Sequence, residues 1–297
     1  MSIAEDRQNN IYIGTQSGGL FRYDNLSISQ FTTGDGLSSM NIQSILNDRE
    51  GNLWLNHVTS LGKYNGNSFT SYNGFIRKQL KLSNEIHCLF EDNQENIWVG
   101  TWGKGIKIFD GESFEDIRIP IRNPGIFHDP AQQGFVTCII QDHKGNIWYG
   151  TFGKGLIRLK DSIAMQYDRD AKALNLDVQS LFEDNSGVIW IGTREKGLCR
   201  FDGKSFTIFN SDHGLCDNTV NSLMGDHSGN IWVGTPKGLS LIIPGKNEEY
   251  IINTFDTEDG LRNLNFIENA VCLESLNRLW WGTGEIVTML DLNTFSL

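Results

Sequence analysis

The chain has 297 residues and a formal net charge of −11, with 39% of its residues apolar and 21% charged. This composition is typical of a soluble globular chain with one large core or two ordinary domains. The negative charge argues against a nucleic-acid partner bound through its phosphates. No apolar run approaches the roughly 18 residues that a membrane span needs. The opening MSIAEDRQNN lacks the basic start and apolar stretch of a signal peptide.

One short motif recurs seven times along the chain: apolar, aromatic, apolar and, in most copies, Gly-Thr. Its aromatic residues are Tyr12, Trp54, Trp98, Trp148, Trp190, Trp232 and Trp280, separated by steps of 42, 44, 50, 42, 42 and 48 residues. A period in the low forties with strand-like segments is typical of propeller blades. We therefore predict an all-β fold in which residues 1–297 form a single seven-bladed β-propeller of four-stranded antiparallel blades.

The fold of one repeat is clearest in residues 178–209. Turns EDNSG, REKG and DGK separate four short apolar segments, VQSLF, VIWIGT, LCRF and SFTIF. Segments bounded so regularly by Gly, Asp and Asn predict an antiparallel meander. The aromatic residue of the second segment is expected to pack between neighbouring sheets and to bury about 150–250 Å². In the last blade the outer strand is predicted at 294–297, and no strand exchange between the first and last blades is expected.

An acidic residue stands six residues before each motif aromatic, at Asp6, Asp48, Asp92, Asp142, Asp184, Asp226 and Glu274. We interpret these acids as acceptors for N–H groups of their own turn and not as metal ligands. No cofactor is expected.

A small residue stands four positions before each acid, at Ser2, Ser44, Cys88, Cys138, Ser180, Ser222 and Ala270. Selection for small size is expected where innermost strands crowd around an axis. The five cysteines are accordingly expected to be reduced, buried thiols, and their odd number leaves at least one without an internal bridge.

A longer pattern surrounds the motif in HGLCDNTVNSLMGDHSGNIWVGTPKGLSL (213–241) and DGLSSMNIQSILNDREGNLWLN (35–56). In this pattern the chain resembles the two-component regulator propellers, which form the extracytoplasmic sensor region of hybrid two-component system histidine kinases. The resemblance implies a periplasmic, ligand-binding sensor propeller that recognises a glycan or oligosaccharide and has no catalytic activity. It also implies partners in a full-length protein: a second propeller, an immunoglobulin-like domain and a membrane-bound histidine kinase. The start of the chain inside a repeat is consistent with a segment of such a protein.

Strand alternation predicts where a ligand would bind. If each innermost strand runs from top to bottom, the second turns and the links between blades lie together at the top. The second turns carry the aromatic residues Trp102 and Phe152 and the cationic residues Lys104, Lys154, Arg194, Lys196 and Lys237. Because aromatic rings stack on sugar faces and cations attract carboxylate or sulfate, these are candidate ligand-binding residues. The alternative is that Lys before Gly is an ordinary exposed turn residue.

The largest insertion, IRIPIRNPGIFHDPAQQGF (117–135), holds three of the five prolines and is predicted to reach the same top rim. A loop of this length in a compact repeat is usually functional. A contact with another domain is the alternative role.

His57 is the eighth candidate residue, because it stands where the other repeats have Thr. Streptogramin lyases, which are similar in the D-x-x-G-x-I-W core, are seven-bladed enzymes that use a histidine and magnesium, a combination suited to proton abstraction. A lyase of this kind and a propeller that docks another protein domain are therefore the alternative functions. The Gly-Thr and Lys-Gly-Leu features follow the sensor repeat more closely, so we expect no enzyme activity.

Overall fold

Seven antiparallel sheets follow one another along the chain in the computed structural model, which describes residues 1–57, 60–72, 86–103, 105–109, 114–117, 134–160, 163–167, 177–245 and 249–297. The first strand of each sheet packs on the first strands of its neighbours, and the first and seventh sheets also contact each other. This closed ring is a seven-bladed β-propeller, and the prediction from the repeat is confirmed.

Blades 1 to 4 contain sixteen strands. Blade 1 consists of β1 (Ser2–Glu5), β2 (Ile11–Gly14), β3 (Leu20–Tyr23) and β4 (Ile28–Phe31). Blade 2 consists of β5 (Ser44–Asn47), β6 (Leu53–His57), β7 (Ser60–Tyr64) and β8 (Phe69–Ser71). Blade 3 consists of β9 (Ile86–Glu91), β10 (Ile97–Thr101), β11 (Ile106–Phe109) and β12 (Phe114–Asp116). Blade 4 consists of β13 (Phe135–Gln141), β14 (Ile147–Phe152), β15 (Gly155–Lys160) and β16 (Ile163–Gln166).

Blades 5 to 7 contain the remaining strands. Blade 5 consists of β17 (Val178–Glu183), β18 (Ile189–Thr193), β19 (Leu198–Phe201) and β20 (Phe206–Phe209). Blade 6 consists of β21 (Ser222–Gly225), β22 (Ile231–Thr235), β23 (Gly238–Pro244) and β24 (Tyr250–Phe255). Blade 7 consists of β25 (Phe266–Leu273), β26 (Arg278–Thr283) and β27 (Val287–Asp291). Across the described part of the chain, no helix has the length and apolar character needed to cross a membrane.

Blade 7 differs from the prediction, because residues 294–297 do not form its outer strand. The backbone N–H groups of Thr294 and Phe295 instead bond to the Asp291 carbonyl in a turn. The Phe295 ring then packs 5.4 Å from the ring of Trp232 in blade 6. In the described sheets no strand passes between blades 7 and 1, and the Ser275 N–H closes the ring by donating to Glu5 Oε2 at 2.9 Å.

The motif acids hold the bottom of the blades together, as their spacing predicts. In blade 6, Asp226 Oδ1 accepts the backbone N–H groups of Ser228 and Asn230. Asp226 Oδ2 also accepts the indole N–H of Trp232 at 3.0 Å, a bond that the sequence interpretation did not anticipate. The same bond to indole is present from Trp54, Trp98, Trp148 and Trp190 to the acids of their own blades. Each such acid therefore fixes both a turn and the aromatic residue packed against the next blade.

Crowding at the axis explains the Gly of the Gly-Thr pair. A Cβ atom on Gly192 would lie 2.2 Å from Ser180 Oγ and 2.7 Å from Val220 Cγ1 of the next blade. Both the glycine and the small residue opposite it are therefore required by close approach of strands. Blade 2 departs from this rule at Asn56, which is fully buried and donates its amide to the Ile86 carbonyl of blade 3 at 2.7 Å.

The cysteines form no disulfide bond. Cys138 and Cys199 are buried, and this burial raises the pKa of each thiol to about 12. Such thiols remain protonated and unreactive near neutral pH. Cys88, Cys216 and Cys272 are only half-buried, so the expectation of five buried thiols is confirmed for two of them.

The neighbouring residues Trp280 and Trp281 pack at two different interfaces of blade 7, one with blade 1 and one with blade 6. Trp281 is 1% exposed and faces Trp232 of blade 6, with 5.7 Å between ring centroids. Trp280 is only half-buried and packs 5.7 Å from the Tyr23 ring of blade 1. The predicted wedge position is therefore at Trp280, but the more deeply buried ring is that of Trp281.

Replacing Asp226 with Ala should lower the free energy of unfolding by about 3 kcal/mol, because charged hydrogen bonds are lost and the buried Trp232 N–H is left unpaired. Urea denaturation measures the loss. Asp202→Ala is the matched control, since Asp202 accepts turn N–H groups on the surface and contacts no indole. An equal loss in both variants would contradict the assigned role of the indole bond.

Candidate functional site

The innermost strands carry an irregularity at their top ends. In blade 5, Val178 pairs with Thr193 and Ser180 pairs with Gly192, so Gln179 is an extra residue on the inner strand. Blade 4 has the same irregularity at Thr137, and blade 3 has it at His87. A β-bulge of this kind re-aims a side chain. Here the three bulged side chains line the space around the axis.

A depression of about 330 Å³ opens there, and we call it the top depression. Its walls come from second turns, inter-blade links and the starts of inner strands, as strand alternation predicts. The lining residues are His87, Trp102, Phe135, Thr137, Phe152, Gln179, Arg194, Thr219, Asn221 and Glu268. His87, Thr137 and Glu268 also line a second cavity of about 350 Å³ that continues along the axis.

One wall of the top depression is an aromatic cluster. The Trp102 ring is 47% exposed and lies 4.8 Å, centroid to centroid, from the Phe135 ring. The Trp102 indole N–H donates to His87 Nδ1 at 2.9 Å. Since Nδ1 accepts this bond, His87 is neutral and carries its proton on Nε2. Burial lowers the pKa of His87, which also favours the neutral ring.

The same wall continues into a stacked cation, because Phe152 on β14 pairs directly with Phe135 on β13. The Arg194 guanidinium carbon lies 5.0 Å from the centroid of the Phe152 ring. The turn is held on both sides, because the Arg194 N–H donates to the Asp177 carbonyl and the Thr219 hydroxyl donates to the Arg194 carbonyl. This wall is therefore built on bonds between neighbouring blades.

The floor is completed by an expanded bulge in blade 7. Phe266 pairs with Thr283 and Val271 pairs with Trp281, so the intervening stretch 267–270 protrudes toward the axis. Asn269 has a left-handed backbone, with φ of 52°, and its N–H donates to the Asn221 carbonyl at 3.0 Å.

The expanded bulge places Glu268 beside blade 5. Glu268 Oε1 accepts the Gln179 amide at 2.7 Å. The Glu268 side chain is exposed to the solvent inside the depression. Protein atoms around its carboxylate nevertheless exclude part of the bulk water. This burial raises the pKa of Glu268, despite the opposing effects of the Gln179 bond and the nearby Arg194 charge.

The predicted ligand-binding residues divide into two groups. Trp102, Phe152 and Arg194 all line the top depression. Lys154 and Lys196 belong to the same ring of turns but do not line the depression, and Lys237 Nζ pairs with Asp217 Oδ2 at 2.8 Å.

The remaining predicted residues are Lys104, those of the insertion and His57. Lys104 and most of the insertion (118–133) are outside the described residues. His57 is 1% exposed, and its Nδ1 lies 3.2 Å from the Asn41 carbonyl oxygen. Burial lowers the pKa of His57. His57 is the last residue of β6, and its side chain is buried within the blade. It therefore lies outside the top depression.

The sequence interpretation missed the polar residues of the floor. A signal for them exists, because one polar residue separates a β-branched residue from the small axial residue in several repeats. The triplets are Ile42-Gln43-Ser44, Ile86-His87-Cys88, Val136-Thr137-Cys138, Val178-Gln179-Ser180 and Val220-Asn221-Ser222. A polar residue repeated inside an otherwise apolar inner strand indicates that the side chain points to the axis. Within the described residues, no three His, Cys, Asp or Glu side chains are grouped closely enough to hold a metal ion.

The neutral state of His87 predicts a pH dependence of stability. Its pKa is lowered in the folded protein, so the unfolded chain binds the proton more readily, and stability should fall as the pH drops below the ordinary histidine value of 6.5. Urea denaturation at about pH 8 and about pH 5 should show a larger loss for the wild type than for His87→Gln, which cannot titrate. His57 titrates in both proteins, so the difference isolates His87. Equal losses would contradict this assignment.

Known structures share the fold of the chain. The extracellular domain of a hybrid two component system from B. thetaiotaomicron has a TM-score of 0.79 and 21% identity, over 98% of this chain and 39% of that chain. A catalytically inactive virginiamycin B lyase from Staphylococcus aureus with quinupristin has a TM-score of 0.73 and 12% identity, over 98% of this chain and 94% of that chain. PorZ of the Porphyromonas gingivalis type-IX secretion system has a TM-score of 0.65 and 18% identity, over 96% of this chain and 45% of that chain.

These identities are low, so the likenesses show the fold alone. The chain spans 39% of the length of the B. thetaiotaomicron extracellular domain. No curated protein matches the sequence.

A family model gives the more specific match. The two component regulator propeller repeat matches residues 36–57, 81–103, 131–153, 173–195 and 214–237. These matches cover the first two strands of blades 2 to 6, where the motif acid and the aromatic residue lie, together with the Gly-Thr pair in blades 3 to 6. The chain therefore contains five matches to the repeat of the two component regulator propeller family, one in each of blades 2 to 6.

Proposed function

We propose that this propeller is the ligand-binding part of the sensor region of a hybrid two-component system, and that it binds an oligosaccharide in the top depression. The repeat matches and the fold shared with an extracellular sensor domain support the sensor role. The observation that carries the ligand class is the pairing of a continuous aromatic wall, formed by Trp102, Phe135 and Phe152, with a floor of amide, hydroxyl and carboxylate groups.

The chemistry of the top depression suits a sugar. The C–H face of a pyranose ring packs on an exposed aromatic ring such as Trp102, while its hydroxyl groups need hydrogen-bond partners. The floor supplies those partners through Gln179, Asn221 and Glu268. The cavity of about 330 Å³ is within the range of about 300–1,000 Å³ that is typical of small-molecule sites. A mono- or disaccharide unit would therefore pack on the aromatic wall and bond to the floor, while the rest of the oligosaccharide extends outward.

The output of such a sensor would lie in other domains. We place the propeller in the periplasm, with a second propeller, an immunoglobulin-like domain and a membrane-bound histidine kinase as partners in the full-length protein. The ligand would be bound and released unchanged.

A lyase is the second candidate, because the chain matches a virginiamycin B lyase over 98% of its own length and 94% of that enzyme. The geometry of the top depression disfavours it. A histidine base needs a free nitrogen lone pair, but Nδ1 of His87 accepts the Trp102 indole N–H and Nε2 carries the proton.

A thermal-shift screen tests the proposed function against neutral, uronic and sulfated oligosaccharides. A ligand at about 100 times its Kd should stabilise the protein by about 2.7 kcal/mol. The shift should disappear in Trp102→Ala, because the exposed aromatic platform is removed. Lys196→Ala is the matched control in the same ring of turns, and it should keep the shift because Lys196 does not line the depression.

Two other outcomes would contradict the sensor proposal. Absence of a shift with every sugar would leave docking of another protein domain as the better function. Consumption of a streptogramin-type lactone in the presence of magnesium would establish the lyase.

A further inference from the structure

Most hydrogen-bonding groups of the floor already bond to other groups of the protein. This restricts which groups of a ligand can form hydrogen bonds with the floor. The Thr137 hydroxyl donates to the Val178 carbonyl at 2.6 Å. The Thr219 hydroxyl donates to the Arg194 carbonyl, also at 2.6 Å. Each hydroxyl has a single hydrogen, so neither can donate to a ligand while these bonds persist.

The two floor amides are oriented by partners that can only accept. The Gln179 amide nitrogen donates to Glu268 Oε1, and the Asn221 amide nitrogen donates to the Phe266 carbonyl at 2.7 Å. Because carboxylate and carbonyl oxygens carry no hydrogen, the nitrogen of each amide must face its partner, and the amide oxygen must face away. Gln179 is 3% exposed, and its Oε1 has no partner among the described residues.

What remains toward the ligand is a group of oxygen acceptors. No described residue bonds the second carboxylate oxygen of Glu268 or donates to the side-chain oxygen of Asn221. Acceptors of this kind pair with hydroxyl groups. They repel a ligand carboxylate or sulfate, which also has only acceptors, and juxtaposed like charges are strongly unfavourable.

The positive charge nearby does not reverse this preference. Arg194 is stacked on Phe152, and its charge lowers the pKa of Glu268 by less than burial raises it. Lys237 is paired with Asp217 outside the top depression. The whole chain carries a net charge of −11, which also disfavours the approach of anions.

We infer that the top depression selects uncharged, hydroxyl-rich sugars over uronic or sulfated sugars, and that Glu268 is the residue that sets this selectivity. This inference rests on the proposed function, because it concerns the ligand of the same site. It departs from the expectation of a cationic rim, whose lysines would attract carboxylate or sulfate.

Chemically matched ligands test the selectivity. The probes are an oligogalacturonate and an oligomannuronate, each compared with its own carboxyl-reduced derivative, so that the members of a pair differ only at C6. Isothermal titration calorimetry of the wild-type protein should give at least about tenfold tighter binding of a reduced, neutral oligomer than of its acidic parent. Only the reduced oligomer has a C6 hydroxyl that can donate to the Glu268 carboxylate, and a hydrogen bond to a charged acceptor strengthens binding by about that factor relative to one with a neutral acceptor.

Variants assign the effect to Glu268. Glu268→Gln keeps the shape of the side chain and removes its charge, so affinity for the neutral oligomer should fall about tenfold and the discrimination against the acidic oligomer should shrink. Glu268→Asp retains the charge and should retain the discrimination. Glu195→Gln is the matched control, because it makes the same charge change on an exposed second-turn residue outside the depression. Thermal unfolding of each variant verifies that the fold is intact.

The outcomes separate the two proposals. Equal or tighter binding of the acidic oligomers by the wild type, or unchanged selectivity in a folded Glu268→Gln protein, overturns the inference and leaves the sugar-sensor proposal standing. Absence of binding by any oligomer in these pairs and in the wider sugar screen overturns the proposed function, and the inference falls with it.

Discussion

Close approach of strands at the propeller axis is the constraint on which the rest of this structure depends. A Cβ atom on Gly192 would lie 2.2 Å from Ser180 Oγ, and Gly100, Gly150 and Gly234 on the second strands of other blades show equivalent contacts with inner-strand residues. Only small residues fit opposite these glycines, so the inner strands offer no room for large side chains at that level. A polar side chain can point to the axis only from a position just above the crowded level. The bulges at His87, Thr137 and Gln179 provide such positions.

The candidate site is a consequence of that arrangement and of the rigidity below it. The motif acids bind both a turn and the indole of the following strand, so the bottom of most blades is fixed by charged hydrogen bonds. The top is left to the second turns and inter-blade links, which vary from repeat to repeat. The top depression draws its lining from blades 3 to 7, and no single repeat contains a complete site. Binding there would report on the relative positions of several blades, which is a suitable property for a sensor.

The chemistry of the floor follows from how its polar groups are satisfied. The Thr137 and Asn221 side chains bond to carbonyls of the next blade, those of Val178 and Phe266, and the bulged Gln179 of blade 5 bonds to Glu268 of blade 7. These bonds tie blades together and consume donors at the same time. Stabilisation of the ring and selectivity for a donor-rich ligand therefore have one physical origin.

The sequence alone determined the number of blades, the strands of blades 1 to 6, the turn-closing role of the acids and the face on which second turns gather. These features repeat, and local patterns such as Asp-x-x-Gly-x-x-Trp are sufficient to predict them. It also identified Trp102, Phe152 and Arg194, because they are unusual residues at turn positions. Only the tertiary structure decided that these three converge, that Lys237 pairs with Asp217 and that His57 is buried, since each outcome depends on neighbours distant in sequence. Glu268 reaches the site through an expanded bulge that breaks the repeat, and a side chain placed by a departure from the pattern cannot be predicted from the pattern itself.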